Sequence, residues 1–230
     1  MKLSIVIPVY NEEKTIAEII RRVNAVGMPG VEKEIIVVDD GSTDKTRKIL
    51  NGLTGIALIF HEKNLGKGSA VKTGFARVTG DIVLIQDADL EYFPEDYPEL
   101  VAPILSGVAD VVYGSRFLSG KPHRTFYFHH YLANRLLTFL SNLCTNLNIS
   151  DVEAGYKVFT RDVVRALTPL LKAKRFGIEI ELTARIARKH YRIYEVGISY
   201  AGRSYAEGKK IGWRDAVAAL WHIARFNFFG

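Results

Sequence analysis

Short apolar runs alternate with helical patterns through the first half of the chain, and this alternation restricts the possible fold more than any other feature. The runs at 3–9, 34–38, 56–60, 82–85 and 110–113 are bounded by turn residues and predict strands. The segments at 13–26, 43–53, 68–78 and 95–105 carry apolar residues at spacings of three and four and predict helices. Repeated strand–helix–strand units predict a doubly wound α/β fold, with a mostly parallel sheet and helices on both faces.

The alternation is predicted to stop after Arg116, and the rest of the chain reads as mainly helical. Helices are predicted over residues 131–147, 161–171, 178–189 and 213–229, and one strand over residues 192–200. A chain of 230 residues is long enough for one sizeable core. We therefore predict a single domain, 1–230, with a nucleotide-sugar-binding half at 1–117 and an acceptor half at 118–230 that adds a helical extension.

Charge is divided unevenly between the two halves of the chain. Residues 1–115 carry 12 Lys and Arg against 17 Asp and Glu, whereas residues 116–230 carry 19 against 8. This asymmetry predicts a metal-dependent site beside a surface that meets phosphates or anionic lipid. No nucleic-acid-binding motif accompanies the basic residues, so we expect no nucleic acid partner.

The sequence also predicts where the protein works. Cys144 is the single cysteine, which excludes an intramolecular disulfide and fits a reducing compartment. No export signal and no apolar stretch of membrane-spanning length is visible. We expect a cytoplasmic protein, peripheral on the cytosolic face of a membrane.

Polar and acidic side chains directly follow three of the predicted strands. The segments are Tyr10-Asn11-Glu12, Asp39-Asp40-Gly41-Ser42 and Gln86-Asp87-Ala88-Asp89. Ligands of an open α/β sheet bind outside the carboxyl ends of the strands, so these side chains are expected to share one crevice. A turn or a helix N-cap explains each segment taken alone. Three acidic strand ends in one chain favour a binding site.

Asp87 and Asp89 are separated by one residue, which in extended chain places both carboxylates on the same side. Like charges so close are costly unless a cation neutralises them. Mg²⁺ or Mn²⁺ binds through one or two carboxylates together with diphosphate oxygens. We therefore predict a divalent cation site here, with Glu91 as a candidate third ligand.

The segment Asn64-Leu65-Gly66-Lys67-Gly68 stands between a predicted strand and a predicted helix. Glycines at this place let the backbone approach a ligand, and a helix start favours an anion. The spacing of a P-loop is absent. An ordinary helix-entry turn explains the segment equally well.

Taken in order, these segments resemble the sequence signature of family 2 glycosyltransferases. The matching segments are Pro8-Val9-Tyr10-Asn11-Glu12, Val38-Asp39-Asp40-Gly41-Ser42-Thr43-Asp44, Asn64-x-Gly66-Lys67-Gly68, Asp87-x-Asp89-Leu90-Glu91, Pro94-Glu95 and Gly114-Ser115-Arg116-Phe117. Arg203 and Lys209 make the chain most similar to the polyprenyl-phosphate branch, the dolichol-phosphate mannosyl- or glucosyltransferases. The resemblance implies a GT-A type fold and an inverting transfer that uses Mg²⁺ or Mn²⁺.

The resemblance also implies roles for individual residues. Pro8, Tyr10, Glu12, Val37 and Asp39 would hold the nucleotide, Lys67 and Ala88 would line the same donor site, and Asp87, Asp89 and Glu91 would hold the metal and the diphosphate. Arg116, Arg203 and Lys209 would face the donor or acceptor phosphates. The candidate catalytic residues are Asp89, Arg116 and Asp151.

The function expected from this resemblance is transfer of a hexose, mannose or glucose, from a GDP or UDP sugar to a polyprenyl phosphate. One alternative is transfer to a sugar hydroxyl, which needs a carboxylate such as Asp151 or Glu153 as general base. The structural alternative for these acids is that they orient Lys157 or Arg161 in a turn. A third possibility is a non-catalytic nucleotide-sugar-binding module, and the presence of both metal-site aspartates argues against it.

Two predicted helices of the acceptor half present broad apolar faces. The first face comprises Leu132, Leu136, Leu137, Phe139, Leu140, Leu143, Cys144 and Leu147, and the second comprises Trp213, Val217, Leu220, Trp221, Ala224 and Phe228. Core packing and insertion at a membrane interface both explain such faces. We expect membrane contact for the first, because Lys121, Arg124 and Arg135 would meet lipid phosphates. We expect core packing for the second.

Overall fold

The computed structural model describes residues 1–118, 120–125, 127–203 and 213–229. The strands are β1 (Lys2–Val9), β2 (Glu32–Asp39), β3 (Ala57–Phe60), β4 (Ile82–Ile85), β5 (Val111–Ser115), β6 (Lys157–Thr160) and β7 (Ile193–Gly197). The helices are α1 (Ile16–Ala25), α2 (Thr46–Asn51), α3 (Lys67–Phe75), α4 (Tyr97–Leu105), α5 (Phe128–Thr145), α6 (Arg161–Leu167), α7 (Ile178–Arg188) and α8 (Trp213–Phe228). Short 3-10 turns lie at Pro94–Asp96 and Thr168–Leu170.

The strands form one sheet of seven in the order β3-β2-β1-β4-β6-β5-β7. β6 is antiparallel to both of its neighbours, and the other pairs of the described sheet are parallel. Side chains alternate across β1, where Ile5 and Ile7 pack into one core cluster and Val6 packs into the other. The cluster that holds Ile5 includes residues of α1 and α4, and the opposite cluster includes residues of α3, α6 and α7. The predicted mostly parallel α/β sheet, covered on both faces, is confirmed.

β6 corrects the prediction that residues 192–200 hold the one strand after Arg116. This strand comes from the second half of the sequence and lies between β4 and β5, which come from the first half. Val158 packs into the cluster on one face of the sheet and Phe159 into the cluster on the other. The two predicted halves of the chain therefore share one sheet and one core.

The last strand and the helices match the predicted elements in place, with ends that shift by a few residues. α5 begins at Phe128 and ends at Thr145, where the prediction was 131–147, and Asn146 ends it in a left-handed conformation with φ of 55°. Asparagine tolerates this conformation better than most residues, which explains the stop. Within the described residues, we find no helix with the length and apolarity needed to cross a bilayer.

Candidate active site

A large cavity lies at the carboxyl ends of β1 and β4 and is closed on its other side by α5 and α8. Its volume is about 1820 Å³. Ten of the residues predicted to bind donor, metal or phosphate line it: Pro8, Tyr10, Glu12, Lys67, Asp87, Ala88, Asp89, Glu91, Arg116 and Arg203. The structure therefore brings together side chains that are separated by up to almost 200 positions in the sequence.

Three predicted site residues lie elsewhere, and a fourth lies outside the described residues. Val37 is fully buried in the core between β1 and β3, so its side chain does not reach the cavity. Asp39 is also fully buried, at the end of β2, and the third of them, Asp151, is buried behind the cavity wall. Lys209 falls outside the part of the chain that the structure describes.

Asp39 and Asp40, at the end of β2, make different contacts. Asp39 Oδ2 accepts hydrogen bonds from Arg47 Nε at 2.6 Å and from the Ser42 amide at 3.2 Å. Its other oxygen, Oδ1, is buried and has no hydrogen-bond partner among the described residues. An unpaired buried carboxylate oxygen is costly unless a ligand supplies a donor. Asp40 lines the cavity and anchors the loop before α3, where it accepts from the Gly66 amide at 2.7 Å.

Arg203 joins the acidic side chains at the ends of β1 and β4. Its guanidinium lies 3.1 Å from Asp89 Oδ2, 3.1 Å from Glu91 Oε1 and 3.5 Å from Glu12 Oε2. Burial, followed by the charges of Asp87 and Glu91, raises the pKa of Asp89 to about 7. The cluster thus carries more negative charge than its surroundings neutralise, which suits the binding of a further cation.

The carboxylates fit a cation that takes its remaining ligands from the substrate. Within the described residues, no three Asp, Glu, His or Cys side chains converge into a complete metal site. Glu91 Oε2 accepts the Tyr200 hydroxyl while Oε1 accepts from Arg203, so both of its oxygens are engaged. Mg²⁺ commonly binds through one or two carboxylates and substrate phosphates. Asp87 and Asp89 can supply that pair, and Glu91 as a third ligand stays a prediction.

Arg116 and Asp151 form a bidentate ion pair beside the cavity. Arg116 Nε and Nη2 donate to the two oxygens of Asp151, each at 2.7 Å, and the Arg116 amide adds a third hydrogen bond at 3.1 Å. The structure does not support the alternative in which Asp151 orients Lys157 or Arg161 through a hydrogen bond. Lys157 Nζ donates to backbone carbonyls instead, and Arg161 Nε donates to the Gly80 carbonyl. Asp151 is a positioning residue for Arg116.

Lys67 is held between two carboxylates, and one of them was not singled out from the sequence. Its ammonium lies 2.7 Å from Asp87 Oδ1 and 2.8 Å from Glu179 Oε1. Glu179 lies in the first turn of α7. The helix dipole favours an acidic residue in the first turn of any helix. Nothing in the sequence therefore indicates that Glu179 belongs to the site.

The glycines on either side of Lys67 allow this arrangement. Gly66 has a φ of 96°, and a Cβ there would lie 2.2 Å from the Lys174 carbonyl oxygen. A Cβ at Gly68 would lie 2.2 Å from the Ala173 carbonyl oxygen. The start of α3 therefore packs directly against the chain that leads into α7. This packing gives the two glycines a structural role that neither interpretation of the segment included, and approach of a ligand to the backbone there stays a prediction.

Two carboxylates that line the same cavity each have one oxygen without a hydrogen-bond partner among the described residues. Glu153 Oε1 and Glu179 Oε2 are buried and accept no hydrogen bond from the described residues, although both side chains line the cavity. Burial, followed by the charge of Glu179, raises the pKa of Glu153 to about 7. Both oxygens can accept hydrogen bonds from hydroxyl groups of a ligand.

α5 and α8 turn apolar side chains away from the cavity and out of the core. On α5, Phe139 is 62% exposed, Leu136 54% and Leu143 72%, whereas Leu137 is buried and Leu140 partly buried. The expectation that the predicted face of α8 packs in the core is wrong. Four residues of that face are exposed: Val217, Leu220, Trp221 and Phe228. The side of α8 that packs in the core is formed instead by Ala219, Ile223 and Phe226.

The acidic sheet edge and the two closing helices define the class of protein to which the chain belongs, a glycosyltransferase domain of the GT-A type. Residues 4–168 match glycosyl transferase family 2, and the chain is a member of that family. Solved structures agree. Glucosyl-3-phosphoglycerate synthase from Mycobacterium tuberculosis, in complex with Mn²⁺, UDP and glucosyl-3-phosphoglycerate, is 26% identical with a TM-score of 0.72 over 96% of this chain and 79% of that chain. A complex of the same synthase with Mg²⁺ and UDP has a TM-score of 0.71 at 26% identity, again over 96% of this chain and 79% of that one.

Two relatives with curated names are transferases whose names include a polyprenyl phosphate. Dolichol-phosphate mannosyltransferase from Pyrococcus furiosus is 29% identical over 98% of this chain. Undecaprenyl-phosphate 4-deoxy-4-formamido-L-arabinose transferase from Enterobacter sp. strain 638 is 33% identical over 90% of this chain. The chain spans 63% and 62% of the length of these two relatives. The predicted membership of family 2 is confirmed.

Proposed function

We propose that this chain is a metal-dependent, inverting glycosyltransferase that moves a hexose, mannose or glucose, from a GDP or UDP sugar to a polyprenyl phosphate. One observation carries the proposal. The cavity that holds the acidic sheet edge and the arginines is walled on its other side by α5 and α8, whose outer faces are apolar and exposed. A lipid phosphate needs both features, cations for the phosphate and an apolar surface that reaches the bilayer.

The donor half of the proposal rests on the groups along the sheet edge. Asp39 does not line the cavity, but it stays part of the proposal as a nucleotide contact, because its buried Oδ1 has no partner in the described structure and suits a hydrogen-bond donor of the base. Asp87 and Asp89 would hold Mg²⁺ or Mn²⁺, whose contribution when bound is to offset charge on the leaving diphosphate. The unpaired oxygens of Glu153 and Glu179 suit hexose hydroxyls. The related synthase crystallised with UDP and a divalent cation supports this assignment.

The acceptor half rests on the cations. A phosphate monoester has a second pKa of about 6, so at neutral pH it arrives already ionised and needs no general base. Arg116, fixed by Asp151, and Arg203 would hold it and offset repulsion from the donor diphosphate. Lys209 stays part of this proposal. The names of the two curated relatives, both of which act on polyprenyl phosphates, favour the same acceptor.

The proposal places the protein at the cytosolic surface of a membrane. The exposed apolar residues of α5 lie on the same helix as Arg135, which lines the cavity, and Arg124 precedes the helix. Cationic side chains beside an apolar helix face are typical of peripheral attachment to anionic lipid.

The direct test is transfer into lipid. Purified protein is incubated with Mn²⁺, a panel of labelled GDP and UDP hexoses, and vesicles that contain a polyprenyl phosphate. We expect label from one donor to enter the organic phase, and Asp89→Asn to lose most of it, because an amide is a weaker ligand for a hard cation than a carboxylate. Transfer that is unaffected by a chelator, or absent with every donor, would contradict the proposal.

Glu153 favours one second candidate, transfer to a sugar hydroxyl. A hydroxyl acceptor needs a general base with a pKa near the working pH. Glu153 lines the cavity, has a pKa of about 7 and keeps one buried oxygen without a partner among the described residues. Asp151 does not fill this role because Arg116 occupies both of its oxygens. A collapse of turnover in Glu153→Gln with donor binding intact would select this candidate. A modest loss would select the phosphate acceptor.

A further inference from the structure

We propose that Lys67 is a built-in counter-ion that stands in for the divalent cation at Asp87 and moves aside, held by Glu179, when the cation binds. The inference rests on the metal dependence in the proposed function. It assigns to Glu179 a positioning role that governs metal affinity.

Asp87, Lys67 and Glu179 form a row of three side chains with alternating charge. Lys67 Nζ lies within hydrogen-bonding distance of both Asp87 Oδ1 and Glu179 Oε1, at 2.7 and 2.8 Å. The three side chains are largely buried and line the cavity. Asp87 is one of the two carboxylates that fit the cation. The ammonium therefore already neutralises a carboxylate that the cation would use, so the two positive charges compete for Asp87.

Glu179 can retain the ammonium of Lys67 when the cation binds Asp87. The Glu179 side chain lines the cavity, and its Oε2 is buried and has no hydrogen-bond partner among the described residues, so this oxygen has capacity for a second contact. A lysine side chain is a compact charge on a flexible four-carbon stem and can shift between neighbouring acceptors. The start of α3 is fixed by the close packing of Gly66 and Gly68 against residues 173–174. The stem of Lys67 can thus move while its backbone stays in place.

This arrangement makes a signed prediction about metal affinity. Without nucleotide, a divalent cation has to displace Lys67 from Asp87, which weakens binding. Removal of the ammonium should tighten it. Removal of the Glu179 charge should weaken it, because Lys67 would then be held by Asp87 alone and would be harder to displace.

Simple electrostatics predicts the same two signs, so the double variant is decisive. If Glu179 acts only through its own charge, its substitution weakens metal binding equally whether or not Lys67 is present. If Glu179 acts by holding Lys67, its substitution has little effect once Lys67 is gone. The coupling between the two residues separates the two accounts.

The experiment measures Mn²⁺ binding to nucleotide-free protein by the electron paramagnetic resonance signal of free Mn²⁺. The variants are Lys67→Met, Glu179→Gln and the two combined. Lys63→Met controls for the loss of an exposed lysine in the same loop, and Glu153→Gln, at pH 8, controls for the loss of a carboxylate from the same cavity. The melting temperature of each variant reports folding.

We expect Lys67→Met to bind Mn²⁺ tighter on the order of tenfold, and Glu179→Gln to bind it more weakly by a similar factor. The combined variant should match Lys67→Met, and the two controls should stay within about twofold of the wild type. Additive effects in the combined variant, or a tightening by Glu179→Gln, would overturn the inference. If Lys67→Met does not fold, Lys67→Gln, which keeps a polar side chain without the charge, takes its place in the same comparison of single and combined variants. Failure of both the wild type and Lys67→Met to bind Mn²⁺ without nucleotide would also overturn the inference, whereas the metal dependence itself is tested by the chelator arm of the transfer assay.

Discussion

At the scale of single residues, substitutions in the Arg116–Asp151 pair are expected to affect stability and activity differently. Removal of one partner leaves the other charged and buried, so Arg116→Ala and Asp151→Ala should each lower the free energy of unfolding by about 3 kcal/mol. The combined variant should recover part of that loss but none of the transferase activity, because the phosphate has lost its arginine. Urea unfolding and the transfer assay measure the two effects. Recovery of activity in the combined variant would show that Arg116 acts only on stability.

Glu153 gives a prediction about pH. Its pKa is about 7 in the folded protein against an ordinary value of 4.5, so folding favours the protonated acid. The associated stability is fully present below pH 4.5 and is lost as the pH rises towards 7. Glu153→Gln removes this dependence. Between pH 5 and pH 8, the wild type should lose about 2 kcal/mol relative to the variant in urea unfolding. Parallel pH profiles of the two proteins would contradict the assignment.

Much of the site could be predicted from single residues because strand ends are visible in the sequence. Asp87, Asp89 and Glu12 follow apolar runs, and the sheet brings such ends together. Glu179 could not be predicted. It stands in a helix whose start accounts for an acid by itself, and its role depends on a contact between α3 and residues 173–174 that no local pattern encodes.

At the scale of elements, the start of α3 reverses the usual effect of a glycine substitution. Replacement of glycine by alanine inside a helix normally stabilises it by about 1 kcal/mol. Gly68→Ala should instead destabilise by about 2 kcal/mol, since its Cβ would lie 2.2 Å from the Ala173 carbonyl oxygen. Gly27→Ala is the control, because nothing lies within 4 Å of its Cβ. Thermal unfolding of both variants tests this, and a stable Gly68→Ala would show that the two segments do not touch.

α5 gives the test of membrane attachment. Leu136→Glu with Leu143→Glu should release the protein from anionic vesicles in a flotation assay and leave its melting temperature nearly unchanged, since both side chains are exposed. The control is Leu137→Ala on the same helix. Leu137 is buried, so that variant should lose about 2 to 4 kcal/mol of stability and keep vesicle binding. Unchanged binding of the glutamate variant would remove α5 from the membrane contact.

β6 shows why one element escaped prediction while the other strands did not. Its sequence opens with Lys157, a residue that sequence patterns assign to the surface. In the structure this lysine is fully buried and donates to the carbonyls of Val152 and Ala154. Only two residues of β6 belong to the core clusters, too short a run to indicate a strand. The long parallel strands β1 and β2 could be predicted from their continuous apolar runs, without knowledge of any tertiary contact.

At the scale of the whole molecule, the shared sheet predicts a single cooperative unit. A fragment of residues 1–117 would contain β4 and β5 but not the strand that lies between them. We expect this fragment to lack a cooperative urea transition and to bind a hydrophobic dye, because two strands lose their partner and the core loses one wall. The full chain should unfold in one transition by circular dichroism and by fluorescence. A cooperative transition in the fragment would show that the halves are independent domains.

The position of β6 also bears on how the protein is made. As the chain leaves the ribosome, the first five strands emerge well before residue 157, yet the edge of β4 stays unpaired until β6 arrives. Until then the nascent protein exposes an open strand edge, which is the kind of surface that recruits other chains. The donor site therefore cannot mature ahead of the acceptor side during synthesis. A pause in translation between β5 and β6 would prolong the exposure of this edge and so raise the risk of aggregation. A chaperone would matter most at that stage.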